Sequence, residues 1–321
     1  LRAFIQAREG RLHVDRRGAL AALIRARDAG ASPAVIAAAL QSPIEDGVVA
    51  AIRYHLDRGG HDHLGLAGGL FANVSVNGRL AALPLTRISV APAMGDQGLC
   101  VGAALAVARD AELIDAEPMP TVYLGPRPGP IDGGRRGTGT VDPDPVAIAA
   151  RLASGQVIAA ARGPMEFGPR ALGNRSLLFD ARRTDIAARL GASLGREPFM
   201  PFAPVLRAED WPSAFDLARE RLGPSAAQMT FALPATAAFA SAAPAAVHQD
   251  GSARPQAVEA SELPWLHAVL TEFAAQTGCP ALVNTSFNRH REPIVCSASD
   301  ALAAAAAIGV DGLVIDEAQE G

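Results

Sequence analysis

Residues 162–176, Arg162-Gly-Pro-Met-Glu-Phe-Gly-Pro-Arg-Ala-Leu-Gly-Asn-Arg-Ser176, hold three arginines, one glutamate, three glycines and two prolines directly after an apolar stretch. Glycine lets a backbone approach a ligand closely, proline stiffens the turn, and Arg170 and Arg175 can aim guanidinium forks at one anion. A structural Gly/Pro loop with surface arginines fits the same run equally well. Val247-His-Gln-Asp-Gly-Ser-Ala-Arg254 is a second polar cluster, in which Asp250-Gly251 is a common turn dipeptide. Asn284-Thr-Ser-Phe-Asn-Arg289 ends an apolar run, where Asn284, Ser286 and Asn288 would supply neutral hydrogen bonds at the mouth of an α/β sheet. Taken alone, each of these two clusters reads better as an ordinary turn.

Weaker signals lie nearer the N-terminus. Gly68-Gly69, with Asn73 and Asn77 on the following turn, can admit a phosphate or ribose. Asp96, between two glycines at a helix entrance, is either a metal ligand or an N-cap. His61 and His63 read as solvated loop residues rather than a metal pair.

Composition narrows the chemistry. All 29 basic residues are Arg, so Schiff-base or lysine P-loop mechanisms are excluded, and anion binding falls to guanidinium forks and backbone N–H groups. With 33 acidic residues the net charge is −4, which gives no global field for nucleic acid or an anionic membrane. Cys100, Cys279 and Cys296 lack C-x-x-C spacing and predict reduced thiols in a cytoplasmic protein. No unbroken apolar run reaches the ~18–20 residues of a membrane span.

The elements that must position these groups alternate between strand and helix, which predicts an α/β fold. Residues 18–58 read as helical, with Ser32-Pro33 as a cap and first-turn pair. Strands are predicted at 64–67, 88–90, 156–161, 176–179, 203–206, 230–233, 281–284 and 312–315. Helices are predicted at 99–109, 145–153, 183–190, 262–276 and 299–308. The stretch 234–246 reads as a loop. The Pro/Gly-dense stretch 117–145 predicts a linker, dividing the chain at 116/117.

Six stretches, LAGGLFANVSVNGRL (66–80), MGDQGLCVGAAL (94–105), GPMEFGPRALGNRS (163–176), FMPFAPV (199–205), HQDGSARPQAV (248–258) and NTSFNRHREPIV (284–295), together resemble the ATP-dependent O-carbamoyltransferases. The resemblance implies residues 1–116 as part of an actin-like ATPase unit and 117–321 as a YrdC-like domain. It implies carbamoyl adenylate formed from carbamoyl phosphate and ATP with Mg²⁺, then transfer to a hydroxyl of a small molecule or sugar. Arg196 and Arg254 would serve catalysis. Arg170, Arg175, Asn284, Ser286, Asn288 and Arg289 would bind nucleotide and carbamoyl phosphate. Gly68, Gly69, Asn73 and Asn77 would line the transfer site, and Asp96 would ligate a transition metal, iron by the family's pattern.

Two departures accompany the resemblance. The family's H-x-x-x-H metal ligands are absent, and Leu1 is not Met, which implies a shortened chain or a second subunit. The family lysine before the Arg-Glu pair is also missing, the segment here being Ser193-Leu-Gly-Arg196-Glu197. A cation 4 Å from a phosphate charge is worth about 4 kcal/mol at an effective dielectric of ~20, so the loss should slow adenylation markedly unless Arg196 or Arg189 covers that position. Alternatives are a catalytically impaired nucleotide-binding partner and carbamoyl chemistry of the tRNA-modifying or hydrogenase-maturation type. Homo-oligomerisation stays open.

Overall fold

The computed structural model describes residues 1–113, 121–130, 139–196 and 202–316. The expected division at 116/117 and part of FMPFAPV therefore lie outside the described residues. The chain opens with an antiparallel hairpin, β1 (Ile5–Arg8) and β2 (Arg11–Val14), which is not among the strands expected above. The stretch expected to be helical is two helices, α1 (Arg16–Asp28) and α2 (Pro33–Gly59), broken where Ser32 caps α2 through its hydroxyl. By length and composition α2 is apolar enough to cross a membrane, although polar residues interrupt its run. At its middle Glu45 accepts a bond from Ser75, and Asp46 pairs with Arg2 and Arg79.

Next come β3 (His63–Leu66), α3 (Val74–Ala81), β4 (Arg87–Val90) and α4 (Leu99–Asp110), with β3 and β4 paired in parallel. The main body follows as α5 (Pro145–Ala153), β5 (Ile158–Ala161), β6 (Arg175–Asp180), α6 (Thr184–Ser193), β7 (Ala203–Arg207) and α7 (Trp211–Ala214). It continues through β8 (Leu233–Pro234), α8 (Ala237–Ala242), β9 (Ser252–Ala253), β10 (Gln256–Val258), α9 (Pro264–Thr277), β11 (Ala281–Ser286), α10 (Ala298–Ile308) and β12 (Gly312–Ile315). Helix α8 lies inside the stretch expected to be a loop, started by the Thr236 hydroxyl accepting from the Phe239 N–H. The strand expected at 230–233 shrinks to the two residues of β8.

Six strands form one mixed sheet in the order β10-β7-β11-β6-β5-β12. The pairs β10–β7 and β5–β12 are parallel, and those between are antiparallel. Every residue of β5 and β6 is buried, so these strands show no alternation of polar and apolar positions. Helices α5 and α9 pack together over the sheet, while α10 rests on β12 and β5. The fold is α/β, as expected.

A single hydrophobic cluster runs through both parts of the chain. It takes Leu66, Leu80 and Ile88 from the first part together with Leu222, Phe231 and the main-sheet strands. Asn77 bridges them, donating to the carbonyls of Phe71 and Thr230 at 2.7 Å each. Gly78 passes so close that a Cβ there would lie 1.9 Å from the Ala232 carbonyl oxygen. Only a glycine allows that approach without displacing backbone.

Candidate functional site

The loop from β5 to β6 carries Arg170 and is shaped by a residue that the sequence reading passed over. The buried carboxylate of Glu166 accepts the N–H groups of Leu172, Asn174 and Arg175 at 2.7, 2.8 and 3.1 Å. Three donors on one oxygen fix the turn that throws the Arg170 side chain out of the loop. Gly173 sits there at φ +116°, a conformation that favours glycine.

Arg170 meets two residues remote in sequence. A cavity of about 330 Å³ is lined by Arg170, Arg196, Arg254, His248, Asn284 and Ser286, with Val74, Pro169, Ala171, Met229 and Thr285 completing its wall. Five of the residues expected at the site are thereby brought together. Arg196 leaves the end of α6 and donates to the Thr285 hydroxyl at 3.0 Å, with its guanidinium carbon 4.8 Å from the Phe202 ring centre. Arg254 stands between β9 and β10, and Asn284 and Ser286 sit at the end of β11.

Electrostatics mark this cavity as a site for negative charge. Among the described residues no carboxylate pairs with Arg170 or Arg254, and the Nε atoms of both are enclosed without a partner. Burial lowers the pKa of Arg170, and burial with Arg170 nearby lowers that of Arg196. Burial, then the charges of Arg170 and Arg196, pull Arg254 from 12.5 to about 9, so it remains protonated at neutral pH. Like charges brought together in this way are stabilised by an arriving anion. A larger hollow of about 590 Å³ bears Arg219, Glu259 and Glu262. Its Arg219 already pairs with Glu259, so it offers a phosphate no free cation.

Arg175 is a correction to the sequence reading. It is fully buried, and its guanidinium donates to the carbonyls of Cys296, Arg162, Gly163, Asn174 and Pro126 at 2.9–3.2 Å. It ties loops together, and its burial among these carbonyls keeps it off the cavity wall. Asn288 and Arg289 also lie off the cavity wall. The Asn288 amide donates to the carbonyls of Arg289 and Glu292, closing a turn, and the exposed Arg289 faces Glu292 at 3.9 Å.

In the first part of the chain, Gly68 and Gly69 are exposed. Asn73 caps α3 and exchanges bonds with Gln41, while Asn77 is buried in the bridge to Thr230. These amides hold the fold together; what reaches the cavity from this segment is Val74. Asp96 is exposed, and among the described residues no three His, Cys, Asp or Glu side chains gather to hold a metal. The donor set around Asp96 does not fit a transition metal.

Residues 149–319 match the model of the carbamoyltransferase C-terminus, and residues 16–105 that of the carbamoyltransferase N-terminus. The chain belongs to the carbamoyltransferase family. The chain is 36% identical over 326 aligned positions to nodulation protein NolO of Bradyrhizobium diazoefficiens, covering 95% of this chain and 58% of that protein. It is 33% identical to the 3'-hydroxymethylcephem-O-carbamoyltransferase of Streptomyces clavuligerus, covering 73% of this chain and 44% of that one. A solved structure of full-length HypF in the phosphate- and nucleotide-bound form aligns over 56% of this chain and 21% of its own, with 19% identity and a TM-score of 0.40. The chain spans about half the length of the curated relatives it matches.

Proposed function

We propose that the arginine cavity binds carbamoyl phosphate and the reacting phosphates of ATP, and that the chain forms carbamoyl adenylate there for transfer to a hydroxyl of a small molecule or sugar. The observation that carries this reading is the convergence of Arg170, Arg196 and Arg254 on one cavity whose wall holds no carboxylate. Family membership supplies the carbamoyl group. At about 330 Å³ the cavity is near the low end of the ~300–1,000 Å³ usual for ligand sites, which suits a small phosphorylated donor.

In this reading water cleaves carbamoyl phosphate to carbamate and phosphate. A carbamate oxygen then attacks the α-phosphorus of ATP, and the bond to the β-phosphate oxygen breaks to release pyrophosphate. Negative charge grows on the α-phosphoryl oxygens as that bond changes. Arg196, steadied by Thr285 and Phe202, and Arg254, half-buried with its Nε enclosed, need little reorganisation to meet it. Ser286 and Asn284 provide neutral hydrogen bonds beside them. Mg²⁺ would be carried by the polyphosphate, because the cavity wall contributes no carboxylate. No step is assigned to a metal at Asp96.

The test is release of pyrophosphate from ATP by the 321-residue chain, with and without carbamoyl phosphate. Release that requires carbamoyl phosphate and falls at least tenfold in Arg196→Ala is the expected result. ATP binding with no release would favour the non-catalytic partner, and absence of both would overturn the assignment of the cavity.

A further inference from the structure

Three guanidiniums explain the phosphate, but they are donors only and cannot recognise an amide nitrogen, whose N–H groups require acceptors. The same cavity holds two enclosed acceptors without partners, His248 Nε2 and Asn284 Oδ1. Each is fixed in that role by a chain of hydrogen bonds ending on a group that can only accept.

For His248, the chain runs outward through Ser252 to Asp250. The Ser252 hydroxyl lies 2.7 Å from a carboxylate oxygen of Asp250 and 2.9 Å from His248 Nδ1. Against the effect of burial, the bonds from Ser252 hold the Asp250 carboxyl below its ordinary value, so it is ionised at neutral pH and can only accept. The single hydroxyl proton therefore goes to Asp250, and Ser252 Oγ accepts from Nδ1–H. That leaves Nε2 with a bare lone pair. Burial keeps the ring neutral by lowering its pKa, assisted by Arg254 and opposed by Asp250.

For Asn284, the chain begins at the backbone carbonyl of Leu172, which accepts from Gln256 Nε2 at 2.6 Å. Gln256 must then present Oε1 to Asn284, which donates its Nδ2 at 2.7 Å. The amide of Asn284 cannot be turned over without breaking this sequence, so Oδ1 is the atom left unmatched. Asn284 is 1% exposed, and water does not freely satisfy it.

We infer that His248 Nε2 and Asn284 Oδ1 receive the N–H groups of the donor's carbamoyl nitrogen, so that the cavity selects carbamoyl phosphate over acyl phosphates of the same shape. The inference rests on the proposed function and adds to it the basis of donor choice. Acetyl phosphate is the discriminating probe, since a methyl group replaces the NH₂ at nearly equal size. Binding it leaves both lone pairs buried and unmet. A site built to hydrogen-bond an N–H discriminates strongly against the analogue that lacks it. Each unmet acceptor costs at least about fivefold in affinity, so the pair predicts a preference of about 25-fold or more.

The experiment is calorimetric titration of the intact chain with inorganic phosphate, acetyl phosphate and carbamoyl phosphate. The expected order is carbamoyl phosphate tightest by at least about 25-fold, with acetyl phosphate near inorganic phosphate. In His248→Phe, and in Ser252→Ala, which releases the ring tautomer without touching the donor, the ratio of acetyl to carbamoyl dissociation constants should narrow about fivefold. That ratio is taken within one protein and is unaffected by a loss of folded material. Equal affinity for the two acyl phosphates overturns the inference while leaving the phosphate site in place. Binding of inorganic phosphate but not carbamoyl phosphate overturns the proposed function and the inference with it.

Discussion

Arg254→Met removes one positive charge from the cavity and keeps an unbranched apolar stem in place of the arginine's. In the empty protein that charge is destabilising. The fall of its pKa from 12.5 to about 9, at about 1.4 kcal/mol per tenfold in proton affinity, corresponds to a cost on the order of 5 kcal/mol as an upper bound. Recovering even 1 kcal/mol of it should raise the melting temperature of the ligand-free chain by about 2 °C or more. Phosphate has the opposite effect on the pair of proteins. At a concentration one hundred times the dissociation constant it stabilises the parent by about 2.7 kcal/mol. Losing one charge-assisted contact weakens binding by about 10–150-fold, which leaves the variant only about 0.3–1.4 kcal/mol at the same concentration. Thermal melts of both proteins with and without phosphate should therefore show the variant higher when empty, and a rise on adding phosphate that is larger in the parent by about 1.3–2.4 kcal/mol. A variant that melts below the parent without phosphate, or that phosphate protects equally, would refute the account of Arg254 as an uncompensated buried cation.

Two further outcomes follow from the same charges. Phosphate affinity, measured by calorimetry in buffers of different ionisation enthalpy, should hold from about pH 7.5 to 8.5. Above about pH 9 it should fall with uptake of one proton, because Arg254 is then neutral in the empty site and recharged by the anion; a flat profile to pH 10 would contradict this. Arg175→Met should behave oppositely to Arg254→Met, losing about 3–5 kcal/mol of stability as buried carbonyls lose their donor, read as a large drop in melting temperature with or without phosphate. A variant that melts like the parent would return Arg175 to the list of ligand residues.

The sequence revealed most of the sheet because buried strands such as 312–315 are short apolar runs between turn signals. It also revealed which segments meet, since Arg170, Arg254 and Asn284 each sit in a polar cluster beside such a run. What it could not distinguish is direction. Arg170 and Arg175 share one loop, yet five residues of separation and the start of β6 place the second inward among carbonyls. Asn284 and Asn288 show the same ambiguity, one pinned by Gln256 from a distant strand and the other folded back on its own turn. His248 was visible only as a turn residue. Its role depends on Ser252, four positions on, sharing its one proton with Asp250, and that arrangement of lone pairs leaves no trace in residue type. The hairpin at 5–14 was missed although Ile5-Gln-Ala-Arg8 and Arg11-Leu-His-Val14 both alternate apolar and polar residues, because each run is only four residues long.

The seam along α3 bears on how such a chain can change over evolutionary time. Gly78 touches the Ala232 backbone, Asn77 is bonded to Thr230, and Val74 one turn away forms part of the cavity wall. The two matched family segments thus meet like a tongue in a groove, and the arginine cavity lies against that seam. Recombining an N-terminal segment from one relative with a C-terminal segment from another would alter that seam at the moment of exchange. Lineages that acquire new acceptors are then expected to do so by substitutions away from this helix, with the seam inherited as a block.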